Sequence, residues 1–302
     1  MIVVERKFVG FAKHRVFFYP TPETVEEVVH GLGKTETARL FLTPIASATG
    51  GSIVRHHLTA TVLVDLTHGP DAIWAGMKAG SRTRSEIRTA EKHASRITLA
   101  QNGPRAERDF LMVFNDFARA SGAVRSLSKA TLDRYRAVGD VFVIYLDEKP
   151  MCVSLALRDE QIGRARLLYS ANYRLAGHEE AKLCSALGRY MLWLEFQRYM
   201  DKGFSTYDLG GIKIGAADGI SGFKRSFGGT TVVEHSYFCA GTRWLGSLAY
   251  RLYECLSERA HDLTPADDQQ NLPDAISADA LETGPASSSS YDRSGRDLHA
   301  AG

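Results

Sequence analysis

Between Val141 and Met200 the chain runs through three apolar strands and then one long helix, and this order narrows the fold more than any other feature of the sequence. Val141 to Leu146, Met151 to Leu157 and Ala165 to Ala171 are runs of strand-forming residues, separated by the short polar stretches Asp147-Glu148-Lys149-Pro150 and Arg158 to Gly163. Turns this short join antiparallel neighbours, so a β-meander is expected. A helix follows from about Glu179 to Met200, closed by Gly203. After it come a strand ending in Thr206 to Gly210, a short helix (Gly219 to Phe227), a strand (Thr230 to Phe238) and a last helix (Arg243 to about Ala260). The alternation predicts an α/β fold with a mixed central sheet flanked by helices.

Upstream, Phe17-Phe18-Tyr19 reads as a short strand. A helix should start at Thr21, with Thr21 as N-cap and Pro22 in its first turn, and end near Gly31 or Gly33. A Gly/Ser/Thr-rich connection at 47–52 leads to the strand Thr59 to Leu66. Residues 68–96 have helical composition with a break at Gly80, and Ile97 to Leu99 is a short strand. Glu107 to Ala120 fits an amphipathic helix with Phe110, Val113, Phe114 and Phe117 on one face. Another helix is expected from Ser128 to about Ala137.

The formal charge of +2 conceals an asymmetry. Residues 263–302 hold seven acids and two bases, a net of −5, with a serine run at 287–290, three prolines (Pro265, Pro273, Pro285) and few large apolar side chains. Such a segment cannot bury enough apolar surface to order itself, and a disordered acidic tail is expected. Residues 1–262 carry 35 bases against 28 acids, a net of +7. The folded body is therefore basic. No apolar stretch approaches the roughly 20 residues of a membrane span, and the charged start (Glu5, Arg6, Lys7) lacks the pattern of a secretory signal. Cys152, Cys184, Cys239 and Cys255 are far apart, with no Cys-x-x-Cys pair, against a disulfide framework or a zinc site. A cytoplasmic protein without a metal is expected.

The stretches Tyr207-Asp208-Leu209-Gly210-Gly211-Ile212 and Gly219-Ile220-Ser221-Gly222-Phe223-Lys224-Arg225-Ser226-Phe227-Gly228-Gly229 are the most specific. Adjacent glycines at a strand end admit a close-approaching ligand, or supply positive φ for a turn. Phe223 and Phe227 stand at i, i+4 and should pack inward, which leaves Lys224 on another face, free to reach a cleft. On these residues alone, a plain tight turn beside a solvated lysine is an equal reading.

The two stretches resemble the C-terminal signature of the Fem family of peptidyltransferases. Those enzymes are built from paired GNAT-like acyltransferase domains and move aminoacyl groups from aminoacyl-tRNA to amines, mostly on peptidoglycan precursors. The strand Val62 to Leu66, Trp74 and the series Arg82, Arg84, Arg88, Ala90, Lys92 are similar to the family's strand and basic helix. The long helix ending at Lys202-Gly203 stands in its usual place, and the resemblance spans residues 59–245. It implies a GNAT-like fold, with 59–262 as the catalytic domain and 1–58 as a reduced N-terminal GNAT-like half. The helical arm that some relatives insert is missing, which suits relatives that build small-molecule amides or peptide natural products.

The implied reaction is transfer from aminoacyl-tRNA to an amine acceptor, a natural-product or peptidoglycan-type precursor, with no other cofactor. The resemblance assigns Lys224 to the oxyanion of the tetrahedral intermediate. Asp208 is the nearest candidate to take the amine's proton, with a turn-stabilising carboxylate as the alternative. Tyr207, Gly210, Gly211 and Phe227 are expected around the cleft floor.

Segment 78–108 contains eight bases and three acids. On a helix Arg84, Arg88 and Lys92 stack at i, i+4, a repulsion of a few tenths of a kcal/mol per pair that phosphates would relieve. With Arg82 they are the candidate tRNA-phosphate contacts; a solvated face paired locally with Glu91 is the alternative. Arg125, between two helices, is a candidate for an acceptor phosphate or carboxylate. The rival donor is acyl-CoA. Arg174-Leu175-Ala176-Gly177-His178-Glu179 is similar to the pyrophosphate loop of ordinary GNAT enzymes in its first half, but Glu179 stands where a small residue belongs. A GNAT-like module that only binds RNA is the third reading.

Overall fold

The chain opens with two antiparallel strands, β1 (Ile2–Phe8) and β2 (Ala12–Phe18), with Ile2 opposite Phe18. α1 (Pro22–Gly31) starts where the sequence places it: the Thr21 side chain accepts a hydrogen bond from the Thr24 amide at 3.3 Å. β3 (Glu36–Thr43) returns parallel to β2, and β4 (Ile53–Asp65) follows. α2 (Gly69–Gly76) and α3 (Thr83–Glu91) are separated by the expected break, with Gly80 at φ 74°. Next come β5 (Ile97–Gln101), α4 (Pro104–Ser121) and α5 (Lys129–Arg136), the last capped by Ser128. The meander is β6 (Gly139–Leu146), β7 (Lys149–Asp159) and β8 (Arg164–Asn172). α6 (Ala181–Asp201), β9 (Thr206–Ile212), α7 (Gly219–Arg225) and β10 (Thr230–Ala240) complete it. This computed structural model describes residues 1–8, 12–43, 52–122, 124–173, 181–212, 219–242 and 247. The expected last helix (apart from Ser247) and the acidic tail lie outside the described residues.

The ten strands form one mixed sheet in the order β1-β2-β3-β10-β4-β9-β8-β7-β6-β5, parallel only at β2/β3 and β8/β9. It is the α/β architecture, a mixed central sheet flanked by helices, expected from the strand and helix order. β4 runs across the expected boundary at residue 59, and β10 pairs with both β3 and β4, so the N-terminal strands extend the same sheet. β1 and β3 are strands the sequence reading lacked. Ile2 and Val4 point inward and Val3 and Glu5 outward, a period of two hidden by the charges at Glu5, Arg6 and Lys7.

β6 is buried along its whole length because both faces of the sheet are covered there. Phe110, Val113 and Phe114 of α4 pack with Val141, Val143, Val153 and Leu155 on one face. Leu192, Phe196 and Tyr199 of α6 pack with Phe142, Ala156, Leu167 and Tyr207 on the other. A fully buried side chain of this size contributes about 1.5–3 kcal/mol. The result is a rigid support at the junction of β8 and β9.

Candidate active-site cleft

β8 and β9 stay in parallel register for only three pairs, Arg164–Thr206, Ala165–Tyr207 and Arg166–Asp208. Beyond them β8 continues to Asn172 paired with β7, while Gly211 and Ile212 of β9 pair with β4. The strands therefore diverge at their C-terminal ends, and a cleft of about 590 Å³ opens beside β8, lined by residues of β8, α6 and α7 with Arg82 and Glu86 at α3 and Phe117 of α4. Carboxyl ends of parallel strands are where open α/β sheets hold ligands.

Gly210 lies at the divergence with φ 77°, and a β-carbon there would sit 2.8 Å from the Leu167 carbonyl oxygen and 3.4 Å from Lys224 Nζ. Only glycine allows the two backbones and the lysine to meet so closely. Lys224 lines the cleft and donates from Nζ to the Gly211 carbonyl at 2.7 Å. α7 holds it there. Phe227 is buried against Phe196, with ring centroids 5.6 Å apart, and Ser226 Oγ meets Thr83 Oγ1 at 2.6 Å, tying α7 to α3. Gly228 closes the motif at φ 80°, where a β-carbon would lie 2.4 Å from the Gly76 carbonyl oxygen.

Asp208 is not in the cleft. Its carboxylate is fully buried and accepts from Tyr19 Oη at 3.0 Å, the Gly210 amide at 2.8 Å, Arg164 Nη2 at 2.8 Å, and also from Thr61 and Arg166. Burial alone would raise its pKa, but Arg166 and Arg164 hold it down at about 2. A carboxylate this committed does not take a proton from an amine, and the expectation that Asp208 serves as base is corrected. Glu234 joins the cluster through Arg164 Nη2 at 3.2 Å.

Tyr207 and Phe227 are likewise core residues, at 0% and 1% exposure, and do not line the cleft floor. The Tyr207 hydroxyl donates to Glu195, which also accepts from Ser154. Alternation along β9 turns Tyr207 into the α6 face and Asp208 to the opposite one. Glu195 is fully buried, and that burial pushes its carboxyl up to about 7. Gly210 and Gly211 are not among the lining residues either; the Gly211 carbonyl holds Lys224, which is.

The four basic candidates divide. Arg82 is exposed and lines the cleft mouth, whereas Arg84, Arg88 and Lys92 are not among the lining residues. Arg88 lies over the Trp74 ring at 5.3 Å. No ion pair to Glu91 forms from Arg84 or Arg88 among the described residues. Arg125 is exposed on the α4–α5 connection and does not line the cleft. Arg174 to Glu179, the pyrophosphate-loop candidate, lies outside the described residues.

Sequence reasoning missed Glu86 and Arg189. Arg189 Nη1 pairs with Glu86 Oε2 across α6 and α3, its guanidinium lies 4.9 Å over the Phe223 ring, and both residues line the cleft. A lone arginine in the stretch Leu183 to Leu194, otherwise without a charged residue, was the available signal. His56 Nε2 and His235 Nδ1 meet at 2.8 Å between β4 and β10.

No family model matches the chain, and a search of curated sequences finds no match. Solved structures do match. The C-terminal domain of a protein described as a lysylphosphatidylglycerol synthetase from Agrobacterium fabrum superposes with TM-score 0.50 at 13% identity, covering 83% of this chain and 84% of that one. FemX gives TM-score 0.49 at 14% identity, over 65% and 64% of the two chains. A GNAT-family acetyltransferase structure from Novosphingobium aromaticivorans gives TM-score 0.41 at 12% identity, over 75% and 83%. The likeness to the first is one of fold.

Proposed function

We propose that this chain is an acyltransferase that moves an aminoacyl group from aminoacyl-tRNA to an amine acceptor. The observation that carries the reading is Lys224, which lines the cleft beside β8 and whose Nζ is held 2.7 Å from the Gly211 carbonyl. An amine adding to the donor's ester carbonyl forms a C–N bond and a tetrahedral oxyanion. A pre-positioned ammonium lowers that barrier by several kcal/mol because it needs no reorganisation as charge develops. The C–O bond then breaks, and the proton lost by the amine ends on the departing hydroxyl.

Arg82 at the mouth, with Arg84 and Arg88 beyond it on α3, supports a polyanionic donor. The test is transfer of a radiolabelled amino acid from charged tRNA, intact or RNase-treated, to a pool of small amines. RNase should abolish product, and Lys224→Ala should cost at least about tenfold in turnover while leaving RNA binding unchanged. Product that survives RNase and requires a CoA thioester would replace this reading with that of an acyl-CoA-dependent N-acyltransferase. Salt-sensitive RNA binding without any transfer would leave an RNA-binding module.

A further inference from the structure

We propose that Glu86 is the ammonium-binding residue of this cleft, an inference that rests on the transfer reading above. Glu86 is the one acid among the described lining residues, set between the cations Arg82, Arg189 and Lys224. Among the charged residues of the lining, this carboxylate is the one that attracts a substrate ammonium. Both of its hydrogen bonds use one oxygen: Oε2 accepts from Ser185 Oγ at 3.1 Å and from Arg189 Nη1. Oε1 remains to accept from a ligand, on a side chain 18% exposed toward the cleft.

The carboxylate is also held in place. Ile87 and Ala90, its neighbours on α3, are fully buried. Arg189 is fixed in turn by Thr83 Oγ1 and Ser185 Oγ, each at 3.4 Å, and by the Phe223 ring. A carboxylate already accepting from a guanidinium and a hydroxyl is suited to hold a cation rather than to withdraw a proton. The rim therefore offers cations to phosphate and one anion to an amine, which is the charge pattern of an aminoacyl ester on a nucleic acid. The same ammonium chemistry is found on the donor's aminoacyl group and on the acceptor, and the two sources are separable.

The experiment is calorimetric binding to the full chain and to Glu86→Gln, whose amide oxygen still accepts from Arg189. The donor arm uses an amide-linked alanyl-aminoadenosine against its N-acetyl derivative, and the acceptor arm n-butylamine against n-butanol. Wild type should prefer the free amine about tenfold or more in one arm, and Glu86→Gln should reduce that preference to within about twofold. The arm that responds names the source. Equal binding of amine and neutral analogue by wild type in both arms overturns the inference without any variant, as does a preference that survives Glu86→Gln. RNase-sensitive transfer alongside either of those results leaves the proposed function standing while Glu86 fails. Loss of RNase sensitivity with Glu86-dependent amine binding does the reverse.

Discussion

Replacing Asp208 by asparagine separates a structural carboxylate from a catalytic one. The side chain is fully buried and accepts from five donors, two of them guanidinium groups. Asparagine has nearly the same shape but offers one oxygen and turns an NH₂ group toward a guanidinium. Removing one partner of a buried ion pair costs roughly 3–5 kcal/mol. Arg164 keeps Glu234 at 3.2 Å, so the lower end, about 3 kcal/mol, applies. At about 2–4 °C per kcal/mol for a chain this large, the melting temperature should fall by roughly 6–12 °C. The cost has a pH signature. The Asp208 carboxyl lies at about 2 in the folded state against an ordinary value of 3.8, so its contribution is full above pH 3.8 and is lost as pH falls through about 2. The stability gap between wild type and Asp208→Asn should therefore be constant from pH 5 to 7 and narrow in acid. Urea denaturation across that range, paired with turnover well below melting, is the assay. Turnover should stay within a few-fold and keep its pH profile. A variant that melts with wild type but loses turnover by orders of magnitude would show that Asp208 acts on substrate.

Gly210→Ala should strain the φ 77° backbone by about 1–2 kcal/mol and force the Leu167 carbonyl and Lys224 apart, since its β-carbon would stand 2.8 Å and 3.4 Å from them. A loss of turnover exceeding the loss of stability is expected, and normal turnover would remove the close approach from the mechanism. Glu195→Gln should stabilise the chain in alkali. A folded value of about 7 against 4.5 means that the wild-type carboxyl's contribution is full below pH 4.5 and lost as pH rises through 7, a difference of about 3 kcal/mol. Melting temperatures that do not diverge between pH 5 and 9 would contradict the buried-acid assignment. Arg88→Ala should weaken tRNA binding uniformly across sequences and lower the salt slope by about one; an unchanged slope would leave Arg88 as a partner of Trp74 only.

The order of the meander, long helix and following strand was legible because each element signals itself locally: short polar turns, a glycine stop at Gly203, a Thr21 cap. Lys224 was an even choice on its own residues and came from the resemblance; the structure buries Phe227 and leaves Phe223 half-buried in the cleft lining beside Lys224. What escaped the reading depends on partners distant in sequence. Asp208 and Tyr207 are adjacent, and nothing in the residues themselves says which face of β9 is open. Arg164, Arg166 and Tyr19, up to 189 positions away, decide it for Asp208. Glu86 was hidden among bases of its own helix, because its partner Arg189 is 103 residues on.

The cleft and the buried cluster are two consequences of one junction. The last registered pair of the parallel ladder is Arg166–Asp208, and the side chains of the same two residues are ion-paired. The strands are thus fastened at the point where they begin to part, by the backbone ladder on one side and by the ion pair through the side chains. One residue further along β8, the Leu167 carbonyl presses on Gly210, and further still no ladder joins the strands. The ladders of β8 with β7 and of β9 with β4 hold the register beside the ion pair, and a slide by one residue would exchange the two faces of a strand. The Lys224 ammonium, bonded to the Gly211 carbonyl, would then lose its position. Asp208 therefore contributes to the stability of this junction without touching a substrate.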